Sequence, residues 1–92
     1  MYSINTNFNV IFKAISYKTR TDILKLISKQ NNLCLMDLTE KLKMGKQTLE
    51  FHLKILKSAG LIISKRSKEK ILLSCNKKQI NSCFKEFTKF IN

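Results

Sequence analysis

Apolar residues recur along this chain in two rhythms, and the changes of rhythm divide it. Phe8, Ile11, Phe12 and Ile15 stand three or four positions apart, the spacing of one helical face, and predict a first helix from about Asn5 to Ile15. Ser16 to Lys18 interrupt that pattern. Ile23, Leu24 and Ile27, with Leu26 beside them, restart it in a second helix that runs out in Gln30-Asn31-Asn32, where Asn31 or Asn32 can take the left-handed backbone of a helix stop. A short third helix opens at Met36 or Asp37 and carries Leu38 and Leu42 at i and i+4. Its acidic Asp37 and Glu40 come early and its Lys41 and Lys43 late, as the helix dipole favours. Met44-Gly45 reads as a turn. The fourth helix, from about Lys46 to Ala59, has Leu49, Leu53 and Leu56 on one face and Gly60 where a C-terminal cap belongs.

Beyond Gly60 the period shortens. Leu61 to Lys65 and Lys70 to Ser74 are short β-branched or apolar runs around the charged Arg66-Ser67-Lys68-Glu69, which predicts a hairpin whose turn type the residues leave open. From Lys77 to Ile91 helical spacing returns through Ile80, Cys83, Phe84, Phe87 and Ile91, with lysines on the opposite face. Four helices, a hairpin and a last helix give an α+β, mainly α architecture. No repeat, linker or low-complexity tract divides it, so residues 1–92 are expected to form one domain.

Composition then narrows the partners. Eighteen Lys plus Arg face six Asp plus Glu, a formal charge of +12, which favours polyanions. The longest apolar runs, such as Leu61-Ile62-Ile63 and Ile71-Leu72-Leu73, fall far short of the roughly 20 residues a membrane-spanning helix needs, so no membrane partner is expected. The start, Met1-Tyr2-Ser3-Ile4-Asn5, lacks the basic-then-apolar pattern of a secretory signal, and a cytoplasmic location with Cys34, Cys75 and Cys83 as thiols follows.

Charge placement says more than charge total, because sixteen of the eighteen basic residues are lysine and the whole composition is lysine-rich. Between Lys41 and Lys70, nine basic residues face only Glu50 and Glu69, a net +7. That segment is two short helices joined at Gly45 and followed at once by a basic hairpin, a winged helix-turn-helix. An exposed helix about 10 to 12 Å across fits the DNA major groove, and flanking cations neutralise phosphates.

Leu33-Cys34-Leu35-Met36-Asp37-Leu38, followed by Met44-Gly45-Lys46-Gln47-Thr48-Leu49-Glu50-Phe51-His52-Leu53-Lys54-Ile55-Leu56-Lys57-Ser58-Ala59-Gly60-Leu61-Ile62, resembles the ArsR-type winged-helix repressors. Thr48 to Leu61 is the most specific part, and with Thr19-Arg20 and Ile23-Leu24 the resemblance spans roughly residues 12 to 75. It implies a homodimer formed by the first and last helices, and binding of a double-stranded inverted-repeat operator that a metal, an oxidant or another signal relieves. The candidate base or groove residues are Lys46, Gln47, Thr48, Glu50, Phe51 and His52, with Lys54, Lys65, Arg66 and Lys68 as phosphate contacts. The candidate dimer residues are Phe8, Ile11, Phe12, Ile80, Cys83, Phe84, Phe87 and Ile91.

The chain also departs from that family. Gly45, Lys46 and Gln47 replace the usual Ser-Gln-Ser start of the recognition helix, and Glu50 and Phe51 stand where a Ser and an Arg or Gln are common. A thiol-based metal sensor of the family would carry two cysteines one residue apart, whereas Cys34-Leu35-Met36 offers one thiol and a thioether. The last helix supplies no His or carboxylate cluster, so no metal or cofactor is expected. Cys34 and Cys83 form a candidate redox pair, weighed against the plain role of small buried hydrophobes. His52 has no nucleophile tied to it by a motif, and no P-loop, dinucleotide fingerprint or paired carboxylates occur, so no enzyme is expected. The alternative is a winged helix that meets a protein partner through Glu50 and Phe51 without specific DNA binding. Single-strand or RNA binding is the weaker third reading, since the hairpin has no aromatic platform and Tyr2 and Tyr17 lie elsewhere.

Overall fold

A computed structural model describes residues 8–92, with side-chain environments from Asn9 onward. The expected start of the first helix at Asn5 and the side chain of Phe8 lie outside that description. In chain order the elements are α1 (Phe8–Ala14), α2 (Lys18–Lys29), β1 (Leu33–Cys34), α3 (Leu35–Leu42), α4 (Lys46–Ser58), β2 (Ile62–Ser67), β3 (Lys70–Cys75) and α5 (Lys77–Ile91).

The core gathers one apolar face from each helix: Ile11 and Ala14 of α1, Ile23, Leu24 and Ile27 of α2, Leu38 of α3, Leu49, Leu53 and Leu56 of α4, and Cys83 of α5. Leu33, Leu61, Ile62 and Leu73 close it from the sheet side. Fully burying a Leu or Ile is worth about 1.5–3 kcal/mol, so α4, with Leu49 and Leu56 inaccessible to solvent, is held firmly while its other face stays free.

The hairpin gains a third strand, a correction to the expected two. β1 pairs antiparallel with β3 through Leu33 opposite Leu73 and Cys34 opposite Leu72, giving the order β1-β3-β2. Two residues are too few to show a period, which is why only the fold reveals this strand. α2 stops at Lys29 with Gln30 as an extended C-cap, and not at a left-handed asparagine as expected. Asn32, beyond it at φ 65°, donates its N–H to the Leu73 carbonyl at 3.1 Å and turns the chain into the sheet.

Helix ends are fixed by specific hydrogen bonds. Cys34 precedes α3, and its backbone N–H and its thiol donate to the Asp37 carboxylate at 3.1 and 3.2 Å. These bonds hold the Asp37 carboxyl below its ordinary range. At the other end the left-handed residue is Lys43, at φ 52°, and not Gly45. The Met44 N–H reaches back to the Thr39 carbonyl at 3.2 Å, a closure that needs positive φ at the position Lys43 occupies. Gly45, at φ −65°, precedes α4 as its N-cap. α4 ends in a Schellman motif: Gly60 at φ 76° donates to the Lys57 carbonyl at 2.9 Å, and Leu61 donates to that of Leu56 at 3.0 Å. Asn76 then accepts from the Gln79 N–H at the start of α5 and donates its side-chain amide to the Gly60 carbonyl. The end of α4, the sheet and α5 thus meet at one residue.

Candidate nucleic-acid interface

α4 has two unlike faces. Leu49, His52, Leu53 and Leu56 are buried, while Lys46, Gln47, Thr48, Glu50, Phe51, Lys54 and Lys57 are exposed. The exposed set recurs at i, i+3 and i+4, so it forms a continuous stripe. Polar and cationic groups dominate it, with Phe51 and Glu50 as the exceptions.

His52 does not belong to that stripe, which corrects its expected place among groove residues. Its ring is turned inward, where Nδ1 accepts from Arg20 Nε at 3.2 Å. Arg20 is itself only 6% exposed. It donates from one terminal nitrogen to the carbonyls of Lys13 and Ala14, both at 3.3 Å, and lies 4.2 Å from the Tyr17 ring centre. Burial and the adjacent Arg20 charge both push the His52 pKa down. A neutral imidazole keeps the Nδ1 lone pair that Arg20 needs. One side-chain pair therefore joins the end of α1, the start of α2 and the middle of α4. Arg20 escaped the sequence reading as a site residue. Its type was the available signal, since it is one of only two arginines in a chain of lysines.

The hairpin continues the basic surface. Lys65 pairs with Leu72 and Arg66 with Ile71, so these two neighbours point to opposite faces of the sheet. Arg66 shares its face with Ile71 and Leu73, which line a groove of about 400 Å³ with Leu53, Glu50, Lys54 and Lys57 of α4. Lys65 faces the other way. Lys68 occupies the first of two turn positions at φ 55°. Among the described residues the close ion pair is Lys18 with Asp22, at 2.9 Å; the α4 and hairpin cations form none, although Lys70 acts on the Asp37 carboxyl and Glu69 lines a groove with Lys46 and Lys70.

Elsewhere the structure separates the candidate residues. Phe12 packs against Phe84 and Phe87 with ring centres 5.7 and 5.1 Å apart, and Ile80 lies against the core. Ile11 and Cys83 are buried within the single chain, so their expected place at a dimer surface is corrected to intrachain packing. Among the described side chains of α1 and α5, Val10, Phe84, Phe90 and Ile91 are large apolar ones that stay exposed, between 44% and 62% accessible. Cys34, Cys75 and Cys83 are free thiols. The Cys34 thiol bonds to Asp37, whereas burial raises that of Cys83, which disfavours the reactive thiolate there. Among the described residues no cluster of three or more His, Cys, Asp or Glu could hold a metal, and no helix is long and apolar enough to cross a membrane.

These features meet those of known proteins. The model of the bacterial regulatory protein arsR family matches residues 17–64. The transcriptional repressor SdpR of Bacillus subtilis is 34% identical, the match covering 91% of this chain and 92% of that protein. An HTH-type transcriptional regulator of Methanocaldococcus jannaschii is 38% identical over 56 residues, 61% of this chain and 63% of its own length. Among solved structures, an ArsR-like transcriptional regulator from Rhodococcus superposes with a TM-score of 0.85 at 21% identity, over 91% of this chain and 78% of that one. A homodimeric winged helix-turn-helix DNA-binding domain from Mycobacterium bovis gives 0.75 at 19%, over 92% and 78%. The fold is a winged helix-turn-helix. The chain belongs to the arsR family of bacterial regulatory proteins, as a DNA-binding transcriptional regulator.

Proposed function

We propose that this regulator is a repressor that binds an inverted-repeat operator as a homodimer, with α4 in the major groove and the hairpin against the phosphate backbone. The observation that carries the reading is the exposed stripe of α4, whose Lys46, Lys54 and Lys57 continue into the cations of the hairpin, none of them in a close ion pair among the described residues. Unpaired cations on a groove-sized helix and its neighbouring wing release DNA counterions on binding. Gln47 and Thr48 lie in the first turn of α4, where side chains reach base edges. The partner copy docks on the exposed apolar residues of α1 and α5, among them Val10, Phe84 and Ile91. The M. bovis neighbour's homodimeric state and the repressor activity named for SdpR support the same reading. In such a dimer the two α4 helices meet half-sites about one helical turn apart.

Selection of bound duplexes from a random pool tests the operator, and sedimentation equilibrium tests the dimer. The expected results are a palindromic consensus and a mass near twice 10.7 kDa. A pool without consensus, bound equally at every sequence, refutes operator recognition. A monomer at micromolar concentration refutes the dimer.

A further inference from the structure

We infer that Phe51 selects thymine, packing its ring against the 5-methyl group in the major groove, an inference that rests on the operator reading above. Phe51 is 58% exposed, one turn beyond Gln47 and one turn before Lys54 on the outward stripe of α4. Exposure alone singles out nothing, since isolated apolar side chains are common on protein surfaces. The surroundings of this ring are what distinguish it.

The ring is braced from behind. It meets His52 edge-on with centres 5.3 Å apart, and His52 is held through Nδ1 by the buried Arg20. A ring set in place before binding loses little freedom when it docks. The residue beside it fixes what it can meet. Glu50 is exposed on the same stripe, and a carboxylate there repels phosphates, whereas Lys46, Lys54 and Lys57 flank it to receive them. The Glu50 and Phe51 part of the stripe is therefore fitted to base edges and not to the backbone. In the major groove the apolar group that a base pair presents is the thymine methyl, and adenine is the base that a glutamine reads with both ends of its amide. Phe51 with Gln47 one turn earlier thus describes a reader of A·T pairs, while Glu50 can accept from a cytosine amino group.

The test uses the full chain and the consensus duplex recovered from the random pool. Each thymine is replaced in turn by deoxyuridine, which removes the methyl and leaves every hydrogen-bonding group in place. Binding is read by fluorescence anisotropy for the wild type and for Phe51→Ala, an exposed change that leaves the core intact. The wild type is expected to lose about fourfold in affinity at one thymine of each half-site, the loss that one buried methyl carries. Phe51→Ala is expected to bind the thymine and deoxyuridine duplexes equally. A wild type indifferent to every replacement overturns the inference, as does a Phe51→Ala protein that keeps the same discrimination. Either of those results leaves the operator reading standing. A pool that yields no consensus overturns both.

Discussion

The α4 and hairpin surface and the α1 and α5 surface are exposed for opposite chemistry. On the first, lysines and Arg66 outnumber the exposed Glu50 and Glu69 around a few polar side chains. On the second, Val10, Phe84, Phe90 and Ile91 expose apolar area. Cationic surface acts at long range and fades with salt, whereas apolar surface acts on contact and tolerates salt. A chain of net charge +12 repels its own copies, so association needs a patch where charge is sparse and apolar burial is large. On the proposed reading, the difference gives DNA one surface and the second subunit the other.

The largest effect should come from placing charge on the apolar surface. Phe84→Asp, at a half-exposed position, leaves the buried core intact and sets a carboxylate in the proposed seam. Sedimentation should show a monomer. Affinity for a two-half-site operator should drop at least about a hundredfold, because linked binding of two sites is lost. A variant that stays dimeric breaks the proposed division of surfaces.

A smaller effect is expected from the hairpin. Changing Lys65 and Arg66 together to glutamine should flatten the dependence of log affinity on log salt by about one for each phosphate contact removed, and weaken binding to every sequence by about tenfold near physiological salt. The dimer mass should not change. Single variants sharpen the result, since Arg66 shares the face of the sheet that lines the α4 groove and Lys65 does not. An unaltered salt slope in the double variant removes the hairpin from the interface.

How much of this was legible in the sequence follows from the range of each interaction. α5 runs from Lys77 to Ile91, the bounds its apolar spacing predicts, and Gly60 takes the positive φ expected of it. Both are local properties that a window of residues contains. β1 was not legible, because a two-residue strand exists only through its partner about 40 positions away. The turn before α4 was legible at Met44-Gly45, but its backbone was not. Lys43, just before that pair, takes the positive φ, since the position of the helix-closing bond decides where it falls. His52 shows the same limit within the site. It stands on a helix of mostly exposed polar residues, and only the fold brings Arg20 to its ring across 32 positions.

That buried pair yields the smallest effect, a pH dependence that separates the two surfaces further. The ordinary histidine value is 6.5, and burial with the Arg20 charge lowers that of His52. Below about pH 6.5 the unfolded chain therefore binds a proton that the folded chain resists, and stability rises with pH across that interval. Read downward, the contribution is complete above 6.5 and is lost as the pH falls toward the folded value. Asp37 is also lowered, but its contribution disappears only below its ordinary value of 3.8, well outside the histidine interval. The wild-type melting temperature should therefore decline between pH 7 and pH 5. In His52→Gln, whose amide oxygen can accept from Arg20 but does not titrate, that decline should be shallower. Operator affinity should follow the same pattern, since Arg20 and His52 join α4 to α1 and α2. The dimer mass should stay constant across the interval, because no described histidine lies on α1 or α5. Equal pH slopes for the wild type and His52→Gln would show that another group titrates, and the link from Arg20 through His52 to the exposed stripe would lose its energetic support.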